Sequence, residues 1–489
     1  MTGKARRDTL LIALILFYGL AVICWGLFKD PLSPDEAKNI FMGRHVMSDP
    51  TYPCPPQPSN TPTGAVEGLM CASSGSVAIA PFAIALADFL AGVYGARLVG
   101  AILGLVLIVV VYRTADSPLH GRHGTIAAAA FVFFGVPLQL SAAAGPSVFA
   151  AFFAGLSLML IEDNVESGSE RQRGGMLLLA SLSFAIASMT SYVAVPFAAL
   201  LVPFVFLRYR FLSGSLFFLI PLLGVLTLYG YFAVIPAWPA LQNTLELSLS
   251  GWGMIPSSQF VYVFDWLAMP YLLATFGMFH EKGGKNSFSL MVLASPAFLI
   301  PFLSSKAGDI HTAVFISLVF LAPAAALGVV HMGELFSYSN EMSLVKPLFV
   351  TAILAIIWVF GLQQIKELKR ERPDLSAAVD FLHRRGAART TVLVDSDYGS
   401  PEYVYRYYLE TRTPPAQVIP LARGTEKERK DIVGYMHPDF VVVDDHHSVR
   451  SFTRACSDYQ AQGFTLAATY QMSLAEGVKN IRIFQKGAL

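Results

Sequence analysis

The chain has 489 residues, of which 54% are hydrophobic and 14% charged, with a mean hydropathy of +0.53. Soluble domains carry roughly a quarter charged residues, so this composition argues against a cytosolic globular protein. A net charge of +1, from 35 basic and 34 acidic residues, argues against nucleic acid as the main partner.

A membrane helix needs about 20 mostly apolar residues, and Thr9 to Phe28 is the first such run. Lys4, Arg6 and Arg7 precede it, and it ends in Trp25-Gly-Leu-Phe28 rather than in a small-residue cleavage site. It reads as an uncleaved anchor with its N-terminus in the cytoplasm. Residues 29–95 form the first outer loop. It opens with Leu32-Ser-Pro-Asp-Glu-Ala-Lys-Asn-Ile-Phe-Met-Gly-Arg44, where Ser33 can cap a helix, Pro34 suits its first turn, and Asp35 and Glu36 suit its positive end. Ile40, Phe41 and Val46 against Lys38 and Arg44 make this helix amphipathic, so it is expected to lie along the membrane surface. Tyr52-Pro-Cys-Pro-Pro-Gln-Pro-Ser cannot be helix or sheet interior. Cys54 and Cys71 bracket that segment, and a disulfide between them on an oxidising side would contribute roughly 3 kcal/mol. Val77 to Tyr94 reads as a second interfacial helix.

Further spans are expected at about 96–113, 124–142, 146–162, 175–190, 192–209, 215–236, 259–278, 287–303, 312–331 and 346–363, eleven in all with the first. An odd number puts the C-terminal tail on the side opposite the N-terminus. The charge bias agrees. The cytoplasmic segments hold twelve basic residues: Lys4, Arg6, Arg7, Arg113, Arg122, Arg171, Arg173, Arg208, Arg210, Lys282, Lys285 and Lys346. The outer loops hold five, namely Lys29, Lys38, Arg44, Arg97 and Lys306. Asp88 and Asp265 fall inside apolar stretches, where a carboxylate is expensive and faces water or an interior. Asp88 is expected to face water and Asp265 to reach an outer cavity. Lys306, Asp309 and His311 sit in a short loop between two spans.

Residues 1–363 thus form the membrane domain, and 364–489 a separate C-terminal domain. In the latter, Thr391-Val-Leu-Val-Asp395 and Asp439-Phe-Val-Val-Val-Asp444 are buried-strand runs separated by amphipathic stretches such as Glu402 to Tyr408. That alternation predicts a small α/β domain with a largely parallel sheet. The turn after Asp395 and the run Asp444-Asp-His-His447 read as ordinary strand ends, and no zinc CxxC pattern, P-loop or GxSxG elbow is present.

Three segments together resemble the GT-C glycosyltransferases that use polyprenyl-phosphate sugars, in particular the aminoarabinose and protein O-mannosyl transferase branch. The first is Asp35, Glu36, Ala37 and Arg44 after the first span; the second is Tyr94-Gly-Ala-Arg-Leu-Val-Gly-Ala-Ile-Leu-Gly104; the third is Ser305-Lys-Ala-Gly-Asp-Ile-His311 before an apolar run containing Pro323. The resemblance spans nearly the whole chain and rests on the order and spacing of these segments. It departs where relatives carry Glu-Lys-Pro-Pro (Ser73 and Ser74 here), an acidic residue opening the fourth span (Ala144-Gly-Pro-Ser-Val148 here), and a Lys opening the sixth (Ser191 here).

The resemblance implies a polytopic helical protein of the cytoplasmic (inner) membrane with an extracytoplasmic, periplasmic tail. It also implies inverting transfer of a sugar from a polyprenyl-phosphate donor to a hydroxyl acceptor. Asp35 would be the base, with Glu36 assisting or pointing to solvent. Arg44, Arg97, Lys306 and His311 would meet the phosphate. A divalent ion on Asp35, Glu36 and His311 stays open, and no cofactor is required. Two other classes remain in view: a non-catalytic scaffold or lipid-binding partner in envelope glycan assembly, because of the departures, and a secondary transporter, which would show charged midplane segments and paired repeats.

Overall fold

The computed structural model describes residues 3–48, 79–117, 123–164, 170–209, 212–229, 257–281, 283–303, 307–335, 345–370, 372, 374–386, 390–396, 402–410, 415–422, 426–444, 449–474 and 477–487. By packing, the chain divides into two compact units. One comprises Met1–Phe28 and Gly68–Lys366, the other Lys29–Glu67 and Glu367–Leu489. The start of the first outer loop therefore packs with the tail, whereas the sequence grouped it with the membrane domain.

The first unit is helical. Its helices are α1 (Gly3–Lys29), α3 (Ile79–Ala115), α4 (Gly124–Phe133), α5 (Val136–Ser141), α6 (Pro146–Asn164), α7 (Glu170–Thr190), α8 (Val195–Tyr209), α9 (Leu212–Tyr229), α10 (Ser257–Gly277), α11 (Gly284–Ala294), α12 (Ile300–Leu303), α13 (Ala307–Leu335) and most of α14 (Val345–Arg370); α2 (Pro34–Ser48) belongs to the other unit. Among the described residues seven helices are long and apolar enough to cross a membrane, and three apolar ones are shorter.

Two expected spans are broken. The run 124–142 divides at Gly135, which adopts φ 74° between α4 and α5, with Pro137 at the start of α5. Only glycine takes that backbone easily, and Gly361 of α14 packs so closely there that a Cβ on either glycine would overlap backbone of the other segment. The run 287–303 divides at a 3-10 turn, Ser295–Phe298, containing Pro296. The expected interfacial helix and the next span adjoin within α3 (Ile79–Ala115), where the non-helical backbone of Ala91 (φ −143°, ψ 19°) and Gly92 (φ 64°, ψ −157°) breaks the run into two helices.

The most apolar stretch of α13 is buried on every side, as befits a helix that is hydrophobic all round. It packs against α3, α4, α6, α10 and α11. Against α10 the approach is closest at Gly328 and Gly277, where Cβ atoms would run into the carbonyl oxygens of Leu273 and Ala324. Small residues allow such close crossing in a membrane, where helices gain little from hydrophobic burial against each other.

The second unit holds α2, the end of α14, and a five-stranded sheet flanked by α15 (Ser376–Arg384), α16 (Glu402–Glu410), α17 (Glu426–Met436) and α18 (Val449–Ala461). Strands β1 (Thr391–Ser396), β2 (Gln417–Ala422), β3 (Phe440–Asp444), β4 (Phe464–Leu474) and β5 (Gly477–Lys486) are ordered β2-β1-β3-β5-β4. β2-β1-β3 pair in parallel; β5 and β4 add an antiparallel hairpin. The sheet is thus mixed rather than largely parallel. Leu393, Val441, Val443, Tyr459, Phe464 and Phe484 form its core under α18. α2 packs against α16, and its Ile40 and Met42 are buried.

Candidate active site

The start of α2 is set by local chemistry. Ser33 precedes Pro34, whose missing N–H costs nothing in a first turn. The Glu36 N–H donates to Ser33 Oγ at 3.3 Å, and the Ser33 N–H donates to Glu36 Oε2 at 3.0 Å. This is a reciprocal capping box, satisfying two donors that the helix start leaves open. Glu36 is consequently buried, at 2% exposure, while its neighbour Asp35 is exposed. Successive helix positions point about 100° apart, so the cap that draws Glu36 inward turns Asp35 outward. Glu36 thus does not point to solvent.

Two contacts hold the flanks of this helix. Asp30, between α1 and α2, takes Lys369 Nζ at 2.8 Å and Arg372 at 3.8 Å. Further along, the Arg44 guanidinium lies over the Tyr407 ring at 5.1 Å, and Arg406 lies over the Phe41 ring at 5.4 Å. Such stacking attracts a cation to the ring face. The amphipathic character that suggested a membrane-surface helix thus has protein partners for Phe41 and Arg44.

In the helical unit, the first turns of α13 carry three polar side chains, each bonded to a different element. Tyr192, in the 3-10 turn before α8, donates to Asp309. The Thr312 hydroxyl lies 2.7 Å from that of Ser147 at the start of α6. His311 Nε2 lies 3.0 Å from the Tyr262 hydroxyl of α10, and its ring stacks on Trp266 at 5.5 Å with 6° between planes. Trp266 is buried, and Gln364 Nε2 donates to its carbonyl at 3.4 Å. Polar groups in an apolar unit need partners, and here they tie α13 to its neighbours.

Arg97 is buried in α3 and donates to the Leu27 carbonyl at 3.0 Å, near the end of α1. A guanidinium suits the negative end of a helix. Asp88 is 3% exposed, so it does not face water as expected; Asp265 is exposed on α10. Lys306, Cys54 and Cys71 lie outside the described residues. Among the described residues, no group of three or more His, Cys, Asp or Glu side chains is placed to hold a metal ion.

Sequence reasoning singled out Asp35, Glu36, Arg44, Arg97 and His311 but not Tyr192, Ser147, Tyr262, Trp266, Tyr403, Arg406 or Tyr407. A usable signal was present at Tyr262 and Trp266, an aromatic pair spaced i, i+4 on one helix face. The spacing Ser33-x-x-Glu36 was likewise a capping-box signature.

No protein-family model matches the sequence, and no curated protein matches it. Solved structures do. ArnT from Cupriavidus metallidurans in the apo state superimposes with a TM-score of 0.56 at 13% identity, over 97% of this chain and 98% of its own. The same protein bound to undecaprenyl phosphate gives 0.51 at 12% identity over 96% and 97%. The archaeal oligosaccharyltransferase AglB from Archaeoglobus fulgidus, in complex with an inhibitory peptide and a dolichol-phosphate, gives 0.56 at 11% identity over 91% of this chain and 70% of its own. The arabinofuranosyltransferase AftD from Mycobacteria gives 0.55 at 13% identity, over 99% of this chain and 40% of its own. The chain shares its fold with ArnT, AglB and AftD.

Proposed function

We propose that this protein is an inverting glycosyltransferase moving a sugar from a polyprenyl-phosphate carrier to a hydroxyl acceptor at the outer face of the cytoplasmic membrane. The observation that carries the reading is the exposed Asp35 carboxylate directly after the first span, beside a Glu36 already committed to the helix cap. The shared fold supports it, as do ArnT with bound undecaprenyl phosphate and AglB with a dolichol-phosphate.

In the proposed reaction Asp35 accepts the proton of the acceptor hydroxyl as its oxygen attacks the anomeric carbon. The bond from that carbon to the phosphate oxygen breaks on the opposite face, and its electron pair leaves with the polyprenyl phosphate. One attack from the face opposite the leaving group inverts the anomeric centre, as in inverting hydrolysis. Arg44, Arg97, Lys306 and His311 are the proposed partners of the phosphate charge, Arg through its fork of donors and Lys as a point charge.

The test is transfer by full-length protein in proteoliposomes, with a panel of undecaprenyl-phosphate sugars as donors. Asp35→Asn is expected to lower turnover about 10²–10⁴-fold, the usual worth of a general base, with yield unchanged. Full activity in that variant, or a product that retains the donor's anomeric configuration, would sink the mechanism. A second reading, a non-catalytic scaffold or lipid-binding partner, is favoured by Ser73 and Ser74 where the resemblance leads one to expect Glu-Lys-Pro-Pro, and by Ala144-Gly-Pro-Ser-Val148 where it leads one to expect an acidic residue. Turnover by the purified protein would eliminate it.

A further inference from the structure

The proposed base sits on a helix that cannot hold itself. α2 has 15 residues, near the length at which an isolated helix is marginal in water, and its capping box fixes only where it starts. Its direction is set from the C-terminal part of the chain. At the start, Asp30 is 7% exposed on its side chain and is gripped by Lys369 and Arg372. Toward the other end, α2 and α16 exchange cations and rings. Arg44 of α2 lies over Tyr407 of α16 at 5.1 Å; Arg406 of α16 lies 5.4 Å from the Phe41 ring centroid of α2 and 5.9 Å from that of Tyr403. The Phe41 and Tyr403 rings meet at 5.6 Å and 58°. Each helix supplies a guanidinium to a ring of the other, and Arg406 is itself oriented by Glu410 at 3.8 Å.

We infer that Arg406 and Tyr407 are positioning residues: α16 of the C-terminal domain, which offers no reacting group, fixes the placement of α2 and so the aim of Asp35. The inference rests on the reading of Asp35 as base. A planar guanidinium stacked on a ring defines direction as well as distance, which a simple apolar contact does not. Aim matters because a misplacement of about 1 Å at a reacting group costs on the order of 10²-fold in rate. The C-terminal domain is on this account part of the catalytic apparatus and not an appended module.

The experiment uses the full chain in proteoliposomes with undecaprenyl-phosphate sugar donors, and compares Arg406→Ala, Tyr407→Ala, Tyr407→Phe and Asp35→Asn. Two readouts are taken: hydrogen exchange over residues 34–48, and kcat separately from KM for the donor. Arg406→Ala and Tyr407→Ala are expected to speed exchange in α2 and to lower kcat about 10–100-fold, with KM changed less than about twofold. Tyr407→Phe keeps the ring face under Arg44 and should restore both. Asp35→Asn should lose kcat with α2 exchange unchanged. Should Arg406→Ala fail to accumulate, the Tyr407 pair carries the comparison. Unchanged α2 exchange in the alanine variants, an effect on KM alone, or a Tyr407→Phe as impaired as Tyr407→Ala overturns the positioning role while leaving Asp35 as base. Full activity of Asp35→Asn overturns the base reading, and the aiming role with it.

Discussion

Asp35 and Glu36 are adjacent carboxylates at one helix start, and replacing each by Ala should give opposite outcomes. Glu36 is 2% exposed, accepts the Ser33 N–H at 3.0 Å and lies at the positive end of α2. Removing it deletes a hydrogen bond to a charged acceptor, worth about 1.5–3 kcal/mol, and an N-terminal dipole interaction of about 0.3–1 kcal/mol. Because the Ser33 N–H is only part-buried and can turn to water, the sum of these is an upper bound, and the loss is set at about 1–2 kcal/mol, the upper part of what a cap contributes. That free energy corresponds to a rise of roughly 5–30-fold in the local opening equilibrium of the helix start, at about 1.4 kcal/mol per tenfold. Hydrogen exchange over residues 34–48 of the full-length protein reads this directly and needs no assumption of two-state unfolding. Asp35 is exposed and meets the same helix dipole, so Asp35→Ala should change exchange by about 0.3–1 kcal/mol yet abolish transfer. Glu36→Ala should loosen α2 while keeping measurable chemistry. Exchange unchanged in Glu36→Ala together with complete loss of transfer, and retained transfer in Asp35→Ala, would reverse the two roles and refute the reasoning.

Other outcomes follow from the packing and the titrating groups. Gly328→Val would drive a side chain into the Leu273 backbone carbonyl, and size-exclusion profiles should show little monodisperse protein; a wild-type yield would mean α10 and α13 can separate without cost. In the C-terminal domain, burial pushes the Glu410 carboxyl above its usual range, partly offset by Arg406 and the Val418 N–H. A raised folded value stabilises the protein below the ordinary carboxylate range and loses that contribution as pH rises through it. Glu410→Gln should therefore gain in unfolding midpoint over wild type as pH rises from about 4 to 7, and a pH-independent gap would contradict this. His311→Ala leaves the Tyr262 hydroxyl without its 3.0 Å partner. If His311 meets donor phosphate, KM for an undecaprenyl-phosphate sugar should rise at least about tenfold in His311→Ala and less than about threefold in Tyr262→Phe; equal effects would reduce His311 to a packing residue.

How far the sequence could be read depended on the range of the forces involved. Span positions were legible because 20 or so consecutive apolar residues are a local property, and the runs at 9–28, 146–162, 175–190 and 312–331 each coincide with one helix. The interruptions were not, because they are decided across the fold. Gly135 could have sat in a straight helix; its positive φ, and the approach of Gly361 that leaves no room for a Cβ, are visible only in the folded chain. The β4–β5 hairpin was missed for a different reason. Phe464-Thr-Leu-Ala-Ala-Thr-Tyr-Gln lacks the unbroken apolar run of β1 and β3, as an edge pair with a solvated face should.

The same distinction separates the two halves of the candidate site. Ser33, Pro34, Asp35 and Glu36 interact within one turn, so their roles can be worked out from spacing alone, and the capping box decides which carboxylate is turned outward. Phe41 and Arg44 lie on the same helix, yet their meaning depends on Tyr403, Arg406 and Tyr407, at the far end of the chain. On a helix that follows a membrane span, one aromatic and one arginine are the residues expected to anchor at an interface. Nothing local distinguishes that use from stacking on a partner helix, since both need an apolar body and a cationic end. The scarcity of charge in this chain sharpens the point. With 14% of residues charged, each guanidinium that lies over a ring is drawn from a small supply. Placing both Arg44 and Arg406 in the α2–α16 contact is therefore better explained by a need to hold α2 in one orientation than by a general need for stability, which aliphatic packing would meet without two cations.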